Sequence, residues 1–254
     1  MLFNPMLSSA ACATYLQQVS LTGPDDAVDP EALRPLGQRF PFVEWALLYM
    51  PTAEGRPRNP TRAWRERFFD SEIPGSSAVH LCGEQAFDEL LAGALPSDIR
   101  RACRLQLNVN ARGAVRNVDQ VIDIYRAALD LGPSLILQYH EGTAEAIGQW
   151  LAELGLRDRF RVHVLLDGSK GRGVLPEQWT LPAELAGTYT GFAGGLGPMN
   201  VPGVLNELEA LRRPYWIDME TGIRSENAFD LAKAEAVLQA AAHLEPRPWK
   251  CAED

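Results

Sequence analysis

The feature that most limits how this chain can fold is an alternation repeated eight times: a short apolar run, then an amphipathic stretch with helical periodicity. The runs Gln17–Thr22, Val43–Met50, Ala78–Cys82, Arg104–Val109, Leu135–His140, Arg161–Asp167, Thr188–Gly194 and Tyr215–Met219 predict strands. Helical patterns at Pro30–Gln38, Pro60–Phe69, Glu84–Ala92, Asn117–Leu131, Thr143–Leu154, Pro176–Trp179, Asn200–Leu211 and Asp230–His243 fill the intervals. Asn117, Thr143 and Asn200 stand where N-caps belong, and Pro60 and Pro202 fall in first turns, where a missing N–H costs little. Strand followed by helix, over and over, predicts a parallel sheet with helical crossovers. Eight units favour closure, and the 254 residues of the chain match the ~250 that an eight-unit barrel needs. No G-x-G-x-x-G turn follows the first run, which argues against an open dinucleotide-binding sheet. The expected fold is α/β: a single (β/α)8 TIM barrel domain of parallel strands over residues 1–254. Residues 1–15 lie outside the alternation, as an N-terminal arm or a plug at the barrel floor.

Composition narrows the partners. A net charge of −9 and a pI of about 5.0 argue against nucleic acid, which requires a clustered basic face. Arg62, Arg65 and Arg67 sit among acidic and aromatic neighbours and read as a solvated helix face. No apolar run reaches membrane-spanning length, and Met1-Leu-Phe-Asn-Pro5 lacks the pattern of a secretory signal. Cys12, Cys82, Cys103 and Cys251 show neither CxxC pairing nor zinc-ligand spacing, so reduced thiols and a cytoplasmic address are expected. A monomer or homodimer with a small phosphorylated ligand fits this profile.

Polar residues recur with period two where a doubly buried strand should be apolar. Gln106, Asn108 and Asn110 follow one another in the fourth strand, Gln138 and His140 in the fifth, His163 and Asp167 in the sixth. Residues two apart share a face, so these groups line one cavity or form a hydrogen-bonded interior layer. Asp167 ends its strand, where barrels of this kind place their active sites. His163 reads as an interior residue outside the site. His80, Cys82, His140 and Asp167 could gather as metal ligands, but no local spacing supports a metal, and none is expected. Imine chemistry is disfavoured because Lys170, Lys233 and Lys250, the only lysines, all lie off the strands. No cofactor is expected.

Three glycine-marked turns follow the last three strands: Gly168-Ser-Lys-Gly-Arg-Gly173, Gly194-Gly-Leu-Gly-Pro198 and Glu220-Thr-Gly222. Glycine lets backbone N–H groups approach a ligand closely, so a phosphate cradle is the leading reading.

These turns also carry a family resemblance. Leu165-Leu-Asp-Gly-Ser-Lys-Gly-Arg-Gly-Val-Leu-Pro-Glu-Gln-Trp179 resembles the sixth strand and loop of phosphoribosylanthranilate isomerases. Phe192-Ala-Gly-Gly-Leu-Gly-Pro-Met-Asn-Val201 is similar to their AGGLNPxNV motif, and Ile217-Asp-Met-Glu-Thr-Gly-Ile223 to VDVSSGVE. The resemblance implies a phosphate held at Gly194, Gly195, Thr221 and Gly222; Arg172 and Gly173 of the preceding glycine-marked turn are expected to join them. It also implies that Asp167 is the general acid, protonating a ribose ring oxygen ahead of an Amadori rearrangement. Arg56-Pro-Arg-Asn59 is similar to the family's Ser-Pro-Arg-Tyr and would bring Arg58 to the substrate, beside Asn108, Gln138 and Asp218. The family's Lys-Ile-Cys-Gly, which carries the general base, corresponds here to Ser20-Leu-Thr-Gly23. Thr22 cannot readily replace a thiolate. Both Val79-His-Leu-Cys-Gly-Glu84 and Gln138-Tyr-His-Glu-Gly142 are similar to the family's QLHG motif.

The functional expectation is an isomerase-like enzyme that moves protons on a small phosphorylated sugar-like substrate, with chemistry altered from the family's. Asp167 would be the acid, and the base would come from Cys82, His80, His140 or the Asp25/Asp26 pair. The alternative is a non-catalytic barrel that binds or senses a phosphorylated ligand.

Overall fold

The computed structural model describes residues 14–110, 115–167, 174–176 and 178–247. Strands β1 (Leu16–Thr22), β2 (Val43–Tyr49), β3 (Ser76–Leu81), β4 (Arg104–Leu107), β5 (Ser134–Tyr139), β6 (Val162–Asp167), β7 (Tyr189–Ala193) and β8 (Tyr215–Met219) pair in parallel. β8 returns to β1, closing a (β/α)8 barrel in sequence order. Around it lie α1 (Arg34–Arg39), α2 (Arg62–Asp70), α3 (Glu84–Leu91), α4 (Val118–Leu129), α5 (Ala144–Glu153), the single turn α6 (Leu156–Arg159), α7 (Val201–Glu209) and α8 (Leu231–Ala242). The expected barrel and strand positions hold because both signals are local. Asn117 caps α4 with a reciprocal capping box to Gln120, and Asp230 caps α8 through the amides of Ala232 and Lys233.

Two connections depart from expectation. Between β6 and β7 the described residues carry only a 3-10 turn, Ala183–Leu185, in place of a helix at Pro176–Trp179. Pro182 lacks the N–H that a continuing helix requires and biases Leu181 toward extended backbone. Between β8 and α8 a short hairpin intervenes, β9 (Arg224–Ser225) with β10 (Ala228–Phe229). Glu226 and Asn227 at its tip both have positive φ, 48° and 64°, which is the two-residue turn whose twist suits a hairpin.

Alternate residues of each strand face the barrel axis, and the register stacks them in tiers of four from alternate strands. The lower tier on the even strands, Glu44, Arg104, His163 and Trp216, is charged where such tiers are ordinarily aliphatic. Arg104 binds Glu44 through two bonds, Nε to Oε2 at 2.6 Å and Nη2 to Oε1 at 2.5 Å. It also lies 3.4 Å from His163 Nδ1 and stacks over the Trp216 ring at 4.6 Å. Ser20 donates to Glu44 at 2.5 Å. Both ions are fully buried, so the pair stands only because each partner satisfies the other. Gly191 makes space for this tier: a Cβ there would come within 2.1 Å of the Trp216 ring. The outward faces, including Leu21, Trp45, Leu47, Val79, Leu105, Leu137, Val164 and Ile217, pack into the main apolar core.

Among the described residues no helix is long and apolar enough to cross a membrane. Cys103 is disulfide-bonded where the sequence reading expects a thiol. The cytoplasmic address loses that support.

Candidate functional site

Above the charged tier the interior opens toward the C-terminal ends of the strands. Three tiers follow the register: Ala46, Gln106, Leu165 and Asp218; then Thr22, His80, Gln138 and Ala193; then, at the mouth, Leu48, Asn108, Asp167 and Glu220. A cleft on the β6–β8 side is lined by Asp167, Gly194, Gly195, Asp218, Glu220, Thr221 and Gly222. The sequence therefore places both glycine turns and three carboxyl groups in one cavity.

Glycine shapes the turns that line the cleft. Gly194 and Gly195 have φ of 125° and 63°, accessible to glycine without strain. Asn200 stands at the N-cap of α7 but makes no capping bond. Its side chain instead accepts from the Gly197 amide at 2.9 Å and donates to the Gly195 carbonyl at 2.8 Å, holding the turn in shape. The amides of Gly194, Gly195, Thr221 and Gly222 meet no acceptor among the described residues. Backbone donors grouped in this way attract an anion without a lysine. Gly222 presses against the neighbouring turn: a Cβ would fall 1.9 Å from the Leu196 carbonyl oxygen and 3.0 Å from Gly197 Cα. Neither contact is a movable side chain, so Gly222→Ala is expected to cost ~1–3 kcal/mol or more. Thermal melts check the stability loss.

Asp218 is the most perturbed carboxyl of the site. Burial raises its pKa to about 7, opposed by the Thr22 hydroxyl, which donates to Oδ1 at 2.5 Å. The negative charges of Glu220, Glu44 and Asp167 add to the rise. Asp167 sits two strands away, with Ala193 between them in register, roughly 10 Å along the sheet. Its Oδ2 accepts from Gln138 Nε2 at 3.2 Å.

The remaining expected site residues divide into those at the mouth and those spent on loop geometry. His80 is buried in the second tier, where burial and then the charge of Arg104 lower its pKa to about 3. It is a neutral hydrogen-bonding group there rather than a proton carrier. Cys82 lies at the rim, accepting from Asn108 Nδ2 at 3.2 Å. His140 leaves the cavity: Nε2 meets the Val109 carbonyl at 3.1 Å and Nδ1 accepts from the Gly142 amide at 3.1 Å. Asn110 binds the Gly142 carbonyl at 3.0 Å, so both residues brace the loops after β4 and β5. His163 belongs to the charged tier below, neutral through burial and the charge of Arg104.

Arg58 reaches the rim but pairs with Glu220 and with Asn227 at 3.2 Å. Asp25 holds Arg224 at 2.7 Å and accepts from the Arg58 amide, while Asp26 accepts from Thr61. Both aspartates are therefore loop struts. Arg172 and Gly173 lie outside the described residues. Sequence reasoning missed the charged tier and the Thr22–Asp218 pair. The period-two argument applied to Glu44 and Arg104 would have flagged the first; nothing local signals the second.

No protein-family model matches this sequence, and no curated protein sequence matches it. Solved structures do share its architecture. Phosphoribosylanthranilate isomerase from Thermus thermophilus superposes with a TM-score of 0.58 at 19% identity, covering 90% of this chain and 100% of that one. The isomerase from Pyrococcus furiosus gives 0.53 at 14% identity, covering 89% and 99%. Phospho-2-dehydro-3-deoxyheptonate aldolase from Thermotoga maritima gives 0.53 at 11%, covering 90% and 70%. At these identities the likeness is one of fold: the chain shares the closed (β/α)8 TIM-barrel architecture of these proteins.

Proposed function

We propose that this isomerase-like barrel is an enzyme that holds a small phosphorylated sugar on the turns after β7 and β8 and moves protons on it with Asp167 and Asp218. The observation that carries the reading is one cleft containing both unclaimed backbone amides and two carboxyls in different environments. Pairs of titratable groups in contrasting surroundings are the usual basis of acid–base division of labour. The names of several structural neighbours, the isomerases, the aldolase and a ribulose-1,5-bisphosphate carboxylase/oxygenase, point to phosphorylated compounds and support the same ligand class.

The roles follow from the surroundings. Thr22, at the position corresponding to the family's basic cysteine, donates to Asp218 and so orients that carboxyl. A carboxylate of pKa about 7 is a far stronger base than an ordinary one and still ionises near neutrality. Asp218 would thus take the proton from carbon that the missing cysteine would have taken. Asp167, across the cleft, would give a proton to the ring oxygen.

The test is a titration of the full-length protein with inorganic phosphate, followed by 31P line broadening. Saturable binding that disappears in Gly195→Asp is expected, and absence of binding in the parent protein sinks the reading. Solvent deuterium entering sugar phosphates, lost in Asp167→Asn and Asp218→Asn, separates an enzyme from a sensor. Complementation of a tryptophan auxotroph lacking phosphoribosylanthranilate isomerase tests the narrowest version.

A further inference from the structure

Opposite the glycine turns, the mouth is walled by β3, β4 and β5. His80, Gln106, Asn108 and Gln138 all face inward there by register. Gln138 is 8% exposed; its Nε2 is held by Asp167, which fixes the amide, and its buried Oε1 has no partner. An unpaired buried acceptor aimed into a cavity is satisfied by an incoming donor. His80 is neutral, so its ring offers one donor and one acceptor, and the ring makes no hydrogen bond to the described residues. Gln106 donates to Asn108 Oδ1 at 2.8 Å, and Asn108 donates onward to Cys82, so these amides are held in fixed orientations.

What the wall lacks is equally informative. None of the inward strand positions in the three upper tiers is Phe, Tyr or Trp, so these positions offer no platform for an aryl ring. Arg58, the cation that the resemblance brings to the substrate, is already paired with Glu220. A surface of fixed amides and a neutral imidazole matches hydroxyl groups, which donate and accept at once. We propose that His80, Gln106, Asn108 and Gln138 form a hydroxyl-reading subsite, so that the phosphorylated substrate has a polyhydroxylated, non-aromatic body. This rests on the phosphate cradle proposed above and adds the identity of the other end of the ligand. A site built to hydrogen-bond hydroxyls discriminates sharply against analogues lacking them, because its buried polar groups are then left unpaired.

Calorimetric titration of the full-length protein with inorganic phosphate, ribose 5-phosphate and phenyl phosphate tests it. Ribose 5-phosphate is expected to bind about tenfold more tightly than inorganic phosphate or better, and phenyl phosphate no more tightly than inorganic phosphate. Gln138→Met should remove about tenfold of the sugar-phosphate affinity while leaving inorganic phosphate unchanged. Asn108→Leu, at a half-buried rim position, supplies the same comparison should the first variant fold poorly. Phosphate binding with no gain from ribose, or with a preference for phenyl phosphate, overturns the subsite and leaves the cradle standing. No binding of any of the three overturns the cradle, and the subsite with it.

Discussion

Glu44→Ala is expected to lower the unfolding free energy by ~3–5 kcal/mol, the largest single-residue effect foreseen for this barrel. The loss arises less from the missing attraction than from what remains. Arg104 stays at 0% exposure having lost both bonds to Glu44, beside a neutral His163 and an aromatic ring. For a chain of this length that corresponds to a fall in melting temperature of roughly 10 °C. It also removes much of the ~5–15 kcal/mol that keeps a typical domain folded. The double replacement Glu44→Leu with Arg104→Met should recover most of the loss, because removing both charges eliminates the desolvation cost. Denaturant melts of the two variants provide the comparison. A single variant within ~1 kcal/mol of the parent would mean that water or a shifted side chain compensates Arg104.

The second large effect is a stability that depends on pH through Asp218. Its pKa of about 7 in the folded protein lies above the 3.8 of an unperturbed aspartate. Below pH ~4 the carboxyl is protonated in both states and costs nothing. As pH rises toward 7 the unfolded chain loses that proton first, so folding becomes progressively less favourable, and the penalty levels off above 7. Asp218→Asn has no such penalty at any pH and can still accept from Thr22. The variant should therefore match the parent near pH 4 and exceed it at pH 8 by on the order of 2–4 kcal/mol. It should at the same time lose the proposed proton transfer, the opposition between stability and activity expected of a working group. Equal melting curves across that pH range would place Asp218 in a more solvated setting than its burial indicates.

The site was readable in the sequence to the extent that its signals were local. The turns Gly194-Gly195 and Thr221-Gly222 were visible because glycine is needed where φ is positive or where main chains touch, and both conditions act within a few residues. Gln106, Asn108, Gln138 and Asp167 were visible because strand periodicity puts them on one face. The same periodicity failed for His140 and Asn110. Each stands past the end of its strand, where the chain turns and the side chain binds loop backbone instead. Thr143 and Asn200 show a related limit. Both occupy N-cap positions, yet their side chains serve the preceding loop, because a nearer backbone partner competes with the helix amides.

Strand count, order and direction, and the end of the barrel that carries the glycine corners, follow from patterns spanning ten or twenty residues. The chemistry depends on partners that only closure brings together. Thr22 meets Asp218 from 196 positions away, Arg58 meets Glu220 from 162, and Glu44 meets Arg104 from 60. A carboxyl's affinity for its proton is set by how much water and which charges surround it. That surrounding is a property of the closed barrel, shared among strands, and no segment of the chain contains it alone.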